Sequence, residues 1–499
     1  MRVPRPGASA AGPSARPPPA AIAGPAAGRA GPRAPGAPSG TASGSVPAFR
    51  RRPRGVGAGR PGCRAPPVRA APPAAPAPAA VPAVPEKAPK PRLPALDACR
   101  FFLIAYICVG HFVAMGTKDP FALKLFTQVN VVVGAFFVIS GYVAAYVATE
   151  VGRYEASPRV RPAVSYTVAR VAGFYPLYFL SQLAFLPVYL LADVTYNGWL
   201  AAAWHGALTF TLSQAWFPTH AELWNPPMWY LSAFAYSLLV LPYLLPALAS
   251  FREAGLKKCF AALTVISVLA KVAYSYDLGC WGIMEGVTPP KLHPNHVLFN
   301  VLRFNPLYGL VEILMGATAA RLVMVGEGAA GAEGAAGAEG AAGRKGGVPP
   351  AALAAAMGGL LLARAAGVFA LNDMLTRGFL FIPLFCWFLV RVHRVTLDPA
   401  TPRWSLVRLL EQKPLVYLGN ISFVIYIIHG PIGQIFYKRA VATKLWGFVF
   451  NKYPGFFYAY LAIVMAAAVV VQKFVVESAW FKARSKGFVK GVLGALGYA

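Results

Sequence analysis

Charge is scarce in this 499-residue chain, and acid scarcer still: 13 % of residues are charged, with 18 Asp plus Glu against 47 Lys plus Arg. With 57 % hydrophobic residues and a mean hydropathy of +0.52, there is too little polar material to coat a soluble core. The apolar segments show no ten-residue alternation, which argues against a membrane β-barrel. Six cysteines, Cys63, Cys99, Cys108, Cys259, Cys280 and Cys386, follow no CxxC or zinc-like spacing. A metal centre is therefore not indicated, and buried apolar packing is their expected role. A Gly-rich phosphate loop, a GxSxG elbow and an HExxH helix are all missing. No early apolar h-region is present, so a cleaved secretory signal is not expected.

What remains is a succession of apolar runs about 20 residues long, the length that crosses a bilayer as a helix. The expected fold is all-α, a polytopic membrane helical bundle of about ten transmembrane helices with a disordered N-terminal tail. Spans are expected near 97–116, 122–149, 174–194, 228–249, 258–276, 302–324, 352–371, 376–392, 414–437 and 455–476. Leu200 to Phe217 is apolar enough to be an eleventh. It is read instead as a re-entrant or interfacial helix, because counting it would reverse the loop charges that follow.

The net charge of +29 divides into two parts, and neither implies a nucleic-acid partner. About half lies in residues 1–92, which carry 15 Lys plus Arg and one acid, Glu86, among Pro, Ala and Gly. Such a segment cannot bury a core, so a disordered arm is expected. Its Arg-rich, acid-poor makeup also resembles an organelle targeting segment, against which the proline content argues. The other basic residues lie in alternate loops and at residues 483–499, a basic C-terminal tail. By the positive-inside rule both termini are expected in the cytosol, with Glu222, Asp277, Glu285 and Asp373 on the opposite side. The AAGAEG repeats within 326–347 form an expected flexible linker.

The first helix, LDACRFFLIAYICVGHF from Leu96 to Phe112, carries two groups that hydrocarbon disfavours, Arg100 and His111. Eleven residues correspond to about 20° of net rotation and roughly 16 Å of rise, so the two side chains share one face at different depths. Intramembrane ionisable residues are candidates for function. Read without context, Arg100 and Arg170 serve equally well as interfacial anchors, and His111 as a packed helix histidine. Ser422, Tyr426 and His429 make a polar stripe on one face of a later span, either interhelical bonding or an acceptor channel. Glu312, the clear carboxylate within a span, is expected to pair with a buried cation or donor. Asp97, three residues before Arg100, suits a local ion pair or cap.

Several segments together resemble the integral-membrane acyltransferase-3 family, which includes cell-surface polysaccharide O-acetyltransferases. LDACRFF…GH is similar to that family's LDGLRxxA…GH, GAFFVISGY (Gly134 to Tyr142) to its FFVLSGF segment, and ARVAGFYPLY (Ala169 to Tyr178) to its RRxxRIYPLY. MWYLSAFAYSLLVLP (Met228 to Pro242) and LGNISFVIYIIHGPI (Leu418 to Ile432) resemble its WSLSVExxFYLLFP and LGxISYSLYLxHxPL. The likeness covers roughly 93–482, in order. Two departures stand out: Gly173 replaces the second arginine of the family's RxxR, and Phe234 the acid of WSLSVE.

The resemblance implies a membrane O-acyltransferase that takes an acyl group, acetyl above all, from acyl-CoA and places it on a hydroxyl of a glycan or similar acceptor. Neither a bound cofactor nor a metal is implied. Burial disfavours the cationic imidazole, so His111 is suited to act as general base. Arg100 and Arg170, at cytosolic helix ends, are placed to meet the donor phosphates. The alternative is a non-catalytic membrane module or a proton-coupled transporter built on His111 and Glu312.

Overall fold

The computed structural model describes residues 90–332 and 347–498. The expected disordered arm, up to residue 89, and most of the 326–347 linker lie outside them. Among the described residues the chain is helical, with one isolated bridge between Thr149 and Ala156 and no strand.

Among the described residues eight helices are long and apolar enough to cross a membrane: α1 (Pro94–Gly116), α2 (Pro120–Ala148), α5 (Pro226–Ser250), α6 (Glu253–Asp277), α8 (Pro306–Gly326), α10 (Asp373–Leu397), α11 (Lys413–Tyr437) and α12 (Phe456–Val476). The pair α3 (Ala163–Ala184) and α4 (Leu186–Phe210), bent by 61°, makes a ninth if counted as one span. With the shorter apolar helix described next, these elements correspond to the ten expected segments. The run near 174–194 is broken at Phe185. The run near 352–371 yields only the 16-residue α9, Pro350–Ala365, one residue short of the usual minimum of about 17. Gly367, at φ +75°, turns the chain away just beyond it. The short α7 (His296–Phe304) and a C-terminal α13 (Ala479–Ala495) complete the helices used below. Most of the expected basic tail is thus helical.

Proline opens many of these elements at positions where a helix has no use for the missing N–H, as at Pro94, Pro120, Pro226 and Pro350. Close backbone approach then sets the packing. A methyl at Gly141 of α2 would overlap the Ile313 carbonyl of α8, and one at Gly316 of α8 would overlap the Val138 carbonyl of α2. Small residues at a helix crossing are what let two membrane helices touch backbone to backbone. This pairing puts α8 at the centre, with 72 % of its apolar window buried, whereas α12 has 17 % buried and presents the rest outward.

The segment expected to be re-entrant folds back on its own helix. Gly198 adopts φ +79°, a conformation that favours glycine. Beyond it His205 Nδ1 reaches Asp193 Oδ2 at 2.8 Å and the Tyr178 hydroxyl donates to Thr209 O at 2.7 Å. Residues 199–210 therefore run back along the incoming helix, a hairpin of the kind that is tolerated at membrane depth where protein covers it.

Candidate active site

The α1 helix meets α11 where Gly419 lies against the Asp97 carbonyl. Ten residues further along α11, His429 lies two residues before Pro431, a proline inside the helix. Proline cannot donate to the carbonyl four residues back. Asn225 Nδ2 supplies that bond instead, donating to Ile427 O at 2.8 Å.

His111 and His429, 318 positions apart, face each other here: His111 Nδ1 lies 3.0 Å from His429 Nε2, and the rings are stacked at 5.3 Å with 6° between their planes. The protons can be assigned from the partners. His429 Nδ1 lies 3.1 Å from the Ile425 carbonyl, which only accepts, so that nitrogen carries the hydrogen. In a neutral ring Nε2 then accepts, and His111 Nδ1–H donates to it. The Nε2 lone pair of His111 is left over. His429 is fully buried, whereas the His111 ring is exposed to a cavity.

That cavity has a volume of about 650 Å³. It touches Arg100 at one end, passes His111, and reaches Glu222, Glu285, His293 and Arg303 at the other. Ser422, Tyr426, Tyr230 and Ser140 border it. The Tyr426 hydroxyl donates to Pro227 O, and the Ser422 hydroxyl donates to Gly419 O at 2.6 Å. Tyr230 and Ser140 share a hydrogen bond of 2.8 Å. The polar stripe thus both bonds between segments and faces the cavity.

Arg100 donates from Nη1 to Asp97 Oδ1 at 2.8 Å, and Arg92 holds the other oxygen at 3.0 Å. Two arginines on one carboxylate leave a net positive charge at that end of the cavity. Arg170, half-buried, stacks over the Tyr166 ring at 5.4 Å and does not border the cavity. Glu312 does not border it either. Its carboxylate is held by Arg377, whose Nε lies 3.1 Å from Oε2, and by Lys271 at 3.4 Å. All three side chains are buried, so the carboxylate and the two cations form a closed ion cluster within the protein.

Sequence reasoning missed the far end of the cavity. Arg303 Nη2 pairs with Glu222 Oε1 at 2.6 Å and its guanidinium lies 3.9 Å over the Phe304 ring. Glu285 Oε2 accepts the Asp373 backbone N–H at 2.8 Å, while its other oxygen is buried without a hydrogen-bond partner among the described residues. Burial first, and the neighbouring Asp373 carboxylate second, push Glu285 well above the usual carboxylate range. Burial likewise holds His293 and His296 below the ordinary imidazole range. A lone acid in a loop such as Met284–Glu285–Gly286 gives no signal in a sequence. Among the described residues no group of three or more His, Cys, Asp or Glu side chains is placed to hold a metal ion.

A family model described as an acyltransferase domain, of the acyltransferase-3 type, matches residues 93–473. No curated protein and no solved structure matches the chain.

Proposed function

The chain belongs to the acyltransferase-3 family, and on that premise we propose that it moves an acyl group, acetyl above all, from acyl-CoA to a hydroxyl of a glycan or similar acceptor, with His111 as the base. Membrane residence and acyltransferase class follow from the family and the apolar helices. One observation supports the finer reading: a single cavity joins Arg100, on the side the loop charges assign to the cytosol, to His111 and the far loops.

In this reading the donor thioester comes in past Arg100, whose guanidinium meets phosphate oxygens, and its thin arm runs the roughly 16 Å of helix to His111. The acceptor arrives from the Glu285 side. As its oxygen attacks the thioester carbonyl, the hydroxyl proton passes to His111 Nε2. The resulting imidazolium keeps its Nδ1–H on His429 Nε2, which spreads the charge and holds the ring in line. Collapse of the tetrahedral intermediate breaks the C–S bond, and the proton on Nε2 goes to the departing thiolate. Both termini lie in the cytosol in this arrangement.

The test is acyl transfer or acyl-CoA hydrolysis by the purified full chain and its His111→Ala variant. Loss of a general base costs about 10² to 10⁴ in rate, with thermal stability near wild type because the ring faces the cavity. Near wild-type turnover in the variant overturns the assignment.

A further inference from the structure

A second cavity of about 450 Å³ opens at the Arg100 end of the bundle. It shares Phe174, Asn420 and Phe423 with the first, so the two adjoin across these side chains. One wall is the start of α3's second half, Gly173 to Leu177; the other is the C-terminal helix α13, which contributes Lys482, Ser485 and Lys486. The helix is anchored there by Phe488, whose ring stacks on Tyr175 at 6.1 Å.

Three polar groups of this second cavity have no partner among the described residues. Lys482 and Lys486, one turn apart on α13, are exposed, and neither has an acidic partner among the described residues. The Ser485 hydroxyl is buried without a hydrogen-bond partner among them. Glu477, the nearest acid in sequence, is bonded to Gln472 Nε2 at 3.1 Å. Two free ammonium groups and a spare hydroxyl, beside aromatic and aliphatic walls, form a site for a phosphorylated group that also carries a flat or apolar part.

We propose that α13 supplies the phosphate subsite of the donor: Lys482 and Lys486 bind the phosphates of the nucleotide end of CoA in the second cavity, while the thioester arm passes Phe174 and Asn420 into the first. The assignment rests on the acyl-CoA reading above. It gives the C-terminal helix a binding role and explains how donor phosphates are met although Arg170 is turned onto Tyr166 and Gly173 has no side chain. The two lysines also suit an anionic lipid headgroup, which shares the phosphate chemistry.

The experiment compares the full chain with the double variant Lys482→Gln/Lys486→Gln in nanodiscs of neutral phosphatidylcholine. Adenosine 3′,5′-bisphosphate, the phosphate end of CoA without its arm, is the equilibrium-binding probe. Acetyl-CoA and S-acetylpantetheine, which share the thioester arm, are the donors. Loss of charge-assisted bonds weakens a ligand by about tenfold per lysine. The bisphosphate affinity and the acetyl-CoA KM should shift by at least that factor, with kcat and S-acetylpantetheine turnover unchanged. Equal bisphosphate binding by both proteins overturns the proposal. So does a lysine dependence seen only for vesicles containing phosphatidylglycerol, which assigns the site to lipid. Lysine-dependent bisphosphate binding in a protein that turns over neither donor upholds the subsite and removes the acyl-transfer reading instead.

Discussion

His111 and His429 stand as parallel rings joined through His111 Nδ1 and His429 Nε2 at 3.0 Å. Because the far nitrogen of His429 is tied to the Ile425 carbonyl, the bond has one direction, and it leaves the cavity-facing histidine with its basic nitrogen unoccupied.

If that direction matters, His429 is a positioning residue. Replacing it by Ala frees His111 to rotate and to adopt either tautomer, and orienting partners of this kind typically contribute about 10- to 100-fold in activity. The expected result for His429→Ala is a fall in kcat of that size with donor KM unchanged. His429→Gln, whose amide oxygen accepts from His111 Nδ1–H, should recover part of it. Equal kcat in wild type and His429→Ala would show the pair to be packing alone.

Arg100 and Arg170 should separate. Arg100 borders the cavity and Arg170 does not, so Arg100→Ala should raise the acyl-CoA KM by about tenfold and Arg100→Lys by less, since Lys lacks the planar fork. Arg170→Ala should move it by less than Arg100→Lys does. A larger effect at Arg170, measured side by side, would mean that its guanidinium leaves Tyr166 when donor binds.

Removing the Glu312 carboxylate strands two buried cations, Lys271 and Arg377. Breaking a buried ion pair from one side costs about 3–5 kcal/mol. Glu312→Ala should therefore lower the unfolding temperature in detergent sharply. The triple change Glu312→Leu/Lys271→Met/Arg377→Met should restore most of the loss, because no charge is left without a partner. A Glu312→Ala protein as stable as wild type would contradict the pairing.

Glu285 predicts a pH dependence. Its folded-state value is raised, so the folded protein holds a proton that the unfolded chain releases near pH ~4.3. Its favourable contribution is complete below that pH and is lost as pH rises through the folded value. Glu285→Gln keeps an acceptor for the Asp373 N–H without the charge. The variant should match wild type in acid and be more stable at neutral pH, with a flatter unfolding temperature between pH 5 and 8. Parallel pH profiles would remove Glu285 as the titrating group.

The length and hydropathy of its segments by themselves determined that this chain is a helical membrane protein, because a backbone in hydrocarbon must bond within its own segment. Eleven-residue spacing likewise placed Arg100 and His111 on one face, since both belong to one helix and its period is known. The ordered motifs carried the family. Where helices meet was not readable in this way. Periodicity says which residues share a face but not which face of another helix they meet, so the contact of His111 with His429, across 318 residues, depended on the close approach of α1 and α11 at Gly419. Lys271 was hidden for a related reason: a lone cation in a long apolar run lowers the mean hydropathy little, and its Glu312 partner lies on another helix. The break at Phe185 and the shortness of α9 were hidden as well, because average apolarity over a window does not report where a helix bends or stops. The tertiary structure alone decided that one cavity runs from Arg100 past His111 to Glu285, because a cavity is what several packed surfaces leave between them.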